Sequence, residues 1–169
     1  MADLPALPPM EELQRMFFEA ARRGDEAVLG ALIRAEVDLE AMNERGHGAL
    51  MLASYHGRLG ATALLLDAGV RPDGTGGGMG GGDTPLMGVA FKGHLAVAAL
   101  LLDRGADPDA RDAAGRTALM TAAIYGQHAI VELLLARGAD PAIADAAGAR
   151  AHDLARAQGH AALAERLAQ

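Results

Sequence analysis

Apolar residues recur along the chain at helical spacing, in short blocks that glycine interrupts. The stretch TPLMGVAFKG places Thr84 where a helix N-cap is expected and Pro85 at the first helical position. Gly93 follows where a left-handed residue ends a helix. The next stretch, HLAVAALLLDRGADP, carries leucines and valine on one helical face, and Gly105 closes it. Pro108 then prevents the helix from resuming. The pattern predicts two short helices joined by a tight turn and followed by an extended loop.

This helix pair is repeated along the chain. Glycines that precede the second helix are spaced 33, 36, 33 and 33 residues apart. A fixed period of this length is typical of a solenoid, in which each unit packs on its neighbours. The glycines at the shared phase are Gly24, Gly57, Gly93, Gly126 and Gly159.

The segments GDTPLMGVAFKGHLAVAALLLDRGADPDARD and AGRTALMTAAIYGQHAIVELLLARGADPAIAD resemble ankyrin repeats. The period, the threonine, the Gly-His or Gly-Gln step, the leucine triplet and Gly-Ala-Asp recur together. The resemblance implies an all-α fold, an ankyrin-repeat solenoid of five stacked helix-turn-helix units with projecting β-turn fingers. We expect an N-terminal tail at residues 1–10, a repeat domain at 11–169 and a glycine-rich loop at 74–82. The repeat boundaries would be near 11–42, 43–78, 79–111, 112–144 and 145–169.

Some residues depart from the family pattern. Gly48 and Arg150 replace the capping threonine in the second and fifth units, which removes about 1 kcal/mol of cap stabilisation. The third and fourth units are therefore expected to be the best formed. The position that holds histidine in the family's Thr-Pro-Leu-His box is Met51, Met87, Met120 or Asp153 here.

Composition excludes several classes of function. The formal net charge is -7. The chain has one lysine, Lys92, and 14 arginines, and the arginines form no basic run. Nucleic-acid binding is therefore not expected. The absence of cysteine excludes disulfides and thiolate metal sites. No apolar run approaches the roughly 20 residues that span a bilayer. We expect a cytoplasmic monomer without a membrane segment.

The glycine-rich loop invites a phosphate-binding interpretation. Gly76, Gly78 and Gly81 match GxGxxG, but any polyglycine does so by chance, and the expected preceding strand is missing. The carboxylate of Asp83, which directly follows the glycines, would repel phosphate. We interpret the loop as a longer finger, with Met79 as an exposed spacer.

The sequence contains few residues that could form a catalytic site. Ser54, the only serine, falls at a small-residue position where packing against a helix is expected. The six histidines are spread along the chain, and His94 and His160 occupy the Gly-His step that is structural in ankyrin repeats. We predict no enzyme activity, no cofactor and no metal site. Asp107 and Asp109 are expected to cap turns or face solvent.

The resemblance implies a concave groove as the binding surface. It would be lined by the two residues before each helix-ending glycine and the residue before each capping position. Three of the five aromatic residues fall there. They would be either binding hot spots or covers for the seams between units. The groove set is Arg22, Arg23, Tyr55, His56, Phe91, Lys92, Ile124, Tyr125, Ala157 and Gln158, with His47, Asp83 and Arg116.

The first hypothesis for function is a non-enzymatic module that binds another protein through this groove. The alternative is an accessory protein that handles a small ligand such as haem, with Tyr55, His56 or Tyr125 as ligands. It arises because TPLMGVAFKGH also resembles short bacterial ankyrin proteins associated with catalase function.

Overall fold

A computed structural model describes residues 8–74 and 82–169. Within them the chain forms ten α-helices and no strand, as the all-α prediction requires. The predicted glycine finger is centred on residues 75–81, so Gly76, Gly78, Met79 and Gly81 lie outside the described residues. The helices are α1 (Met10–Arg23), α2 (Glu26–Arg34), α3 (Ala49–Tyr55), α4 (Leu59–Asp67), α5 (Pro85–Lys92), α6 (Leu95–Asp103), α7 (Ala118–Ile124), α8 (His128–Ala136), α9 (Ala151–Ala157) and α10 (Ala161–Leu167).

The helices form two layers of a solenoid. The odd-numbered helices pack on one another in chain order from α1 to α9, and α2, α4, α6 and α8 pack likewise in the second layer. Each helix also packs on the other member of its pair. The core between the layers is mostly aliphatic apart from the fully buried Phe17, and one buried leucine recurs at the same position of each second helix. These leucines are Leu32, Leu65, Leu101, Leu134 and Leu167.

The first helices begin as the sequence predicts. The Thr84 hydroxyl accepts a hydrogen bond from the Met87 amide, and the Thr117 hydroxyl accepts one from the Met120 amide. Gly48 gives α3 no side-chain cap. At α9 the Asp153 carboxylate accepts the backbone N–H of the N-cap residue, which partly replaces the missing threonine. The uncapped second unit is therefore the clearest departure from the pattern.

The predicted fingers are tight turns closed by a short polar side chain. The Asn43 side chain accepts hydrogen bonds from two backbone N–H groups of its own turn, and Asp112 and Asp145 do the same in theirs. Isolated antiparallel bridges join Met42 to Gly48 and Ala144 to Arg150 across two of these turns.

Polar side chains tie successive units together at the ends of the second helices. Ion pairs join Arg104 to Asp67, Arg137 to Asp103 and Arg166 to Glu132. In the loops beyond, the Asp107 carboxylate accepts the Asp109 amide, and the Asp109 carboxylate accepts the Asp140 amide. Asp107 thus caps its own turn as predicted, whereas Asp109 was expected to cap a turn or face solvent and instead links its loop to that of the next unit. On this side of the stack, exposed arginines are matched by acids from the preceding unit.

Two glycines of the second unit are expected to respond in opposite directions to substitution. Gly48 has ordinary extended geometry (φ -78°), and a Cβ there would approach only the Ala41 carbonyl oxygen, at 3.7 Å. Gly48→Thr should therefore raise the free energy of unfolding by about 0.5–1 kcal/mol, through a new cap and a less flexible unfolded chain. Urea denaturation measures the change.

The matched change is Gly57→Ala. Gly57 has φ +68°, and an added Cβ would lie 2.8 Å from the His94 ring. We expect a loss of about 1–2 kcal/mol or more from the backbone conformation and the clash. A stabilised Gly57→Ala variant, or a Gly48→Thr variant less stable than the wild type, would contradict this account of the repeat.

Candidate functional site

Each junction between neighbouring first helices is built around a glycine. Gly57 ends the turn after α3 in a left-handed conformation, and the His94 ring of the next unit lies against it where a side chain would otherwise stand. A structural role for His94 is therefore confirmed. The same arrangement brings Arg58 onto Gly24, Gln127 onto Gly93 and His160 onto Gly126.

These contacting side chains also reach the main chain of the preceding helix. Arg58 Nε donates to the Arg22 carbonyl at 3.2 Å, and Gln127 Nε2 donates to the Phe91 carbonyl at 3.3 Å. His160 Nε2 donates to the Ile124 carbonyl at 3.1 Å. In contrast, His94 Nε2 is buried without a hydrogen-bond partner among the described residues. The junction between α3 and α5 thus lacks a polar link that its neighbours have.

Three aromatic rings cross the junctions on the same side. The Tyr55 and Phe91 rings stack nearly parallel, with centroids 6.1 Å apart and planes at 13°. Phe91 meets Tyr125 edge to face, at 4.6 Å and 90°. Tyr55 and Phe91 both stand two residues before a helix-ending glycine, whereas Tyr125 stands one residue before its own, which changes the ring's orientation. We call Tyr55, Phe91 and Tyr125 the aromatic row.

The aromatic row is both a seam and a surface. Its rings contact one another between units, yet Phe91 remains 37% exposed and Tyr125 50% exposed. Lys92 Nζ lies 5.2 Å from the Tyr55 centroid and 5.9 Å from the Phe91 centroid, within the range of cation–π attraction. The rings therefore cover the seams between units, while their role as binding hot spots stays a prediction.

Positive charge surrounds His56 beside the aromatic row. Its imidazole packs edge-on to the Tyr55 ring, with centroids 5.5 Å apart. Burial lowers the His56 pKa below its ordinary 6.5, and the nearby charges of Arg22, Arg58, Lys92 and His94 lower it further. We call Arg22, Arg58 and Lys92, which surround His56, the cationic cluster. It is a positive region on a chain whose net charge is negative.

Two of the predicted arginines are held by one carboxylate. Arg22 Nε and Nη2 both donate to Glu19, at 2.9 and 2.7 Å, and Arg23 Nε donates to the same group. The hydrogen bond from Arg22 is the largest cause that lowers the Glu19 pKa to about 2, and Arg23 adds to it. Glu19 thus stays ionised over the whole physiological range and fixes both guanidinium groups at the end of α1.

A family model described as ankyrin repeats in three copies matches residues 17–112 and 78–145. The chain belongs to the ankyrin repeat family. No curated protein matches it. Stacked helix pairs, capping threonines and glycine-ended turns are therefore the family's architecture in this chain, and protein–protein interaction is that family's general role.

The remaining predicted groove residues make their side-chain contacts elsewhere or face solvent. Arg116 pairs with Asp112 in its own finger, and the His47 backbone is held by Asn43. Ile124 is half-buried, Asp83 is half-buried, and Gln158 is exposed beyond the last unit that carries a ring. Within residues 8–74 and 82–169, no side-chain hydrogen bond or ion pair connects these groups to the aromatic row.

Sequence reasoning missed two members of this surface, Arg58 and Glu19. Arg58 occupies the register position of His94, Gln127 and His160, so aligning the ankyrin units would have revealed it. Glu19 stands three and four residues before Arg22 and Arg23, the spacing at which helical ion pairs form.

Ser54, the only serine, has a structural role. Ser54 is fully buried, and its hydroxyl donates to the Leu50 carbonyl at 2.7 Å, as expected for a packing position. Across the described ranges, no three His, Asp or Glu side chains are grouped so that they could hold a metal ion. None of the helices described here has the length and apolarity needed to cross a membrane.

The charges around His56 give a measurable prediction. In the folded protein the His56 pKa, followed by NMR titration of its ring protons, should lie below 6.5. Lys92→Gln and Arg58→Gln should each raise it, because each removes a positive charge that disfavours imidazolium. In the wild type the His56 pKa is lower in the folded state than in the unfolded state, so the unfolded chain binds the proton first as pH falls. The His56 contribution to stability should therefore be lost as pH falls below 6.5.

Arg137→Gln is the matched control for this titration. Arg137 is also an arginine beside a neighbouring unit, but it pairs with Asp103 at the end of α8. It should leave the His56 pKa unchanged. Equal titration curves for the wild type, Lys92→Gln and Arg58→Gln would show that the cationic cluster exerts no field on His56.

Proposed function

We propose that this ankyrin protein is a non-enzymatic module that binds a partner protein on the aromatic row. The observation that carries the proposal is the continuity of the row. Tyr55, Phe91 and Tyr125 contact one another over three successive helix pairs while Phe91 and Tyr125 keep large exposed fractions. Large rings that are already ordered lose little conformational freedom on binding, which is why aromatic residues dominate hot spots.

The wider binding surface in this proposal is the predicted groove set around the row. Arg22 and Arg23 would contribute at one end and Gln158 at the other, with Lys92 and His56 beside the rings. The residues His47, Asp83, Arg116 and Ile124 would form its margin. A surface spanning several units suits an extended partner segment, which can contact each unit in turn.

Haem handling is the second candidate, and the adjacency of Tyr55 and His56 is the observation that favours it. The aromatic row offers no slot for a flat macrocycle, however. A ring inserted between Tyr55 and Phe91 would need about 7 Å, twice the contact distance between carbon atoms, whereas the two centroids are 6.1 Å apart. Haem would have to lie on the outside of the row with one face in solvent.

Alanine substitutions in the row test the proposal. The partner is first recovered by comparing what immobilised wild type and the Tyr55→Ala/Phe91→Ala/Tyr125→Ala variant each retain from the source cell. Each single alanine variant should then weaken binding to the purified partner, and at least one should do so by about 2 kcal/mol, which is roughly 30-fold in Kd. Isothermal titration calorimetry measures this change.

Stability separates binding from seam packing. Tyr125→Ala should lower the free energy of unfolding by only about 1 kcal/mol, because the half-exposed ring loses one aromatic contact. Tyr125→Phe, which keeps the ring, is the control and should bind much as the wild type does. Ring variants that unfold easily but bind normally while folded would contradict the proposal. A stoichiometric Soret shift with haemin, abolished by His56→Gln or Tyr55→Phe, would favour the second candidate.

A further inference from the structure

We infer that the segment which occupies the aromatic row is acidic, with carboxylates facing the cationic cluster and apolar side chains lying on Phe91 and Tyr125. This inference rests on the proposed function and names the chemistry of its partner. It is carried by the arrangement of charge around the row, where positive side chains outnumber the acids that pair with them.

Three arginines at the second helices are neutralised by the preceding unit. Arg104, Arg137 and Arg166 each form an ion pair with an acid about one repeat earlier in the chain. Arg58 and Lys92 form no ion pair within the described part of the chain, and the same is true of some arginines elsewhere, such as Arg34 and Arg111. What distinguishes Arg58 and Lys92 is their place, because both lie near His56 and the rings, where a bound segment could bring a carboxylate to them.

The nearby acids do not supply that carboxylate. Glu19 is engaged by both Arg22 and Arg23, so this trio carries a net positive charge. Glu26 lies against Gly60 at the start of α4, and it shares with Arg58 the lining of a cavity of about 170 Å³ without pairing with it. A positive charge therefore remains at the row, and after burial it is the second cause that lowers the His56 pKa.

The rings and the cations are close enough to be used together. Lys92 Nζ lies over Tyr55 and near Phe91, so a carboxylate that reaches the ammonium group also brings its own chain onto the rings. The Tyr125 ring then continues the apolar surface toward the fourth helix pair. An alternation of acidic and apolar side chains in an extended segment would match this sequence of contacts. Hydrogen bonds between charged partners typically contribute more than neutral ones, which gives such a segment selectivity.

Single-stranded nucleic acid is the other anion that aromatic and basic residues can bind. It fits less well here. Tyr55 and Phe91 already stack on each other, and the Tyr125 edge is directed at the Phe91 ring, so less ring surface is free for bases. The net charge of -7 also opposes a polyphosphate over the length that such binding needs.

A displayed library of random peptides tests the inference with the intact chain. Selection against the wild type is paired with counter-selection against the Tyr55→Ala/Phe91→Ala/Tyr125→Ala variant. Peptides that survive should be enriched in Asp and Glu relative to the library. Replacing the acids of a selected peptide by their amides should weaken its binding at least about tenfold, as expected for lost hydrogen bonds between charged groups.

Variants of the chain locate the interaction. Lys92→Gln and Arg58→Gln should each weaken the selected peptide severalfold, and the loss should shrink as salt screens the charges. Arg137→Gln, which removes a paired arginine away from the row, should leave the affinity unchanged. Circular dichroism melting of each variant verifies that the fold is intact.

The outcomes separate this inference from the proposed function. Ring-dependent peptides with no excess of acids, or with affinities insensitive to Lys92→Gln and Arg58→Gln, would overturn the acidic partner and leave binding at the row intact. Failure to select any peptide that distinguishes the wild type from the triple ring variant would count against the proposed function itself. Binding of a short oligodeoxythymidine that is lost in both Lys92→Gln and Tyr125→Ala would replace the acidic peptide with nucleic acid.

Discussion

The close approach of neighbouring first helices depends on glycine at the end of each one. At Gly57 the backbone takes a left-handed turn, and the missing side chain leaves the space that His94 occupies. A residue with a Cβ would disfavour the left-handed backbone conformation and would also clash with the His94 ring. The same arrangement recurs at the other junctions, and side chains near the ends of neighbouring first helices come within contact distance. The aromatic row is a product of this close approach.

Stacking and recognition consequently share side chains. The Phe91 ring contacts Tyr55 on one side and Tyr125 on the other, so it contributes to both junctions while remaining partly exposed. At the first of these junctions the His94 ring nitrogen Nε2 has no hydrogen-bond partner among the described residues, and the stack of Tyr55 on Phe91, with Lys92 over it, provides a further contact across the junction. A partner lying on the row would therefore cover the surface where that junction is held together, and its binding would stabilise the stack as well.

Much of the fold could be predicted from sequence because its determinants are local. Thr84 as a cap, Gly93 as a helix end and Asp107 as a turn residue act within a few positions of themselves. The site was predictable only in outline. The direction of the Arg58 side chain, and the position of Lys92 over the Tyr55 ring rather than in solvent, depend on rotamers chosen across a junction. The sequence shows that Asp153 departs from the family's Thr-Pro-Leu-His box. It does not show that the Asp153 carboxylate accepts the Arg150 amide and so caps α9, because that hydrogen bond depends on how the turn closes.

The spacing between Gly57 and Gly93 is three residues longer than elsewhere, yet Tyr55 and Phe91 still stack at 6.1 Å. The additional length is thus accommodated without disturbing the helix ends. Over evolutionary time, insertions and deletions between α4 and α5 could accumulate while the opposite edge of the stack stayed under selection. That segment is therefore a natural place to graft a peptide epitope or a fluorophore, since a reporter joined there would leave the stack of Tyr55 on Phe91 unaltered.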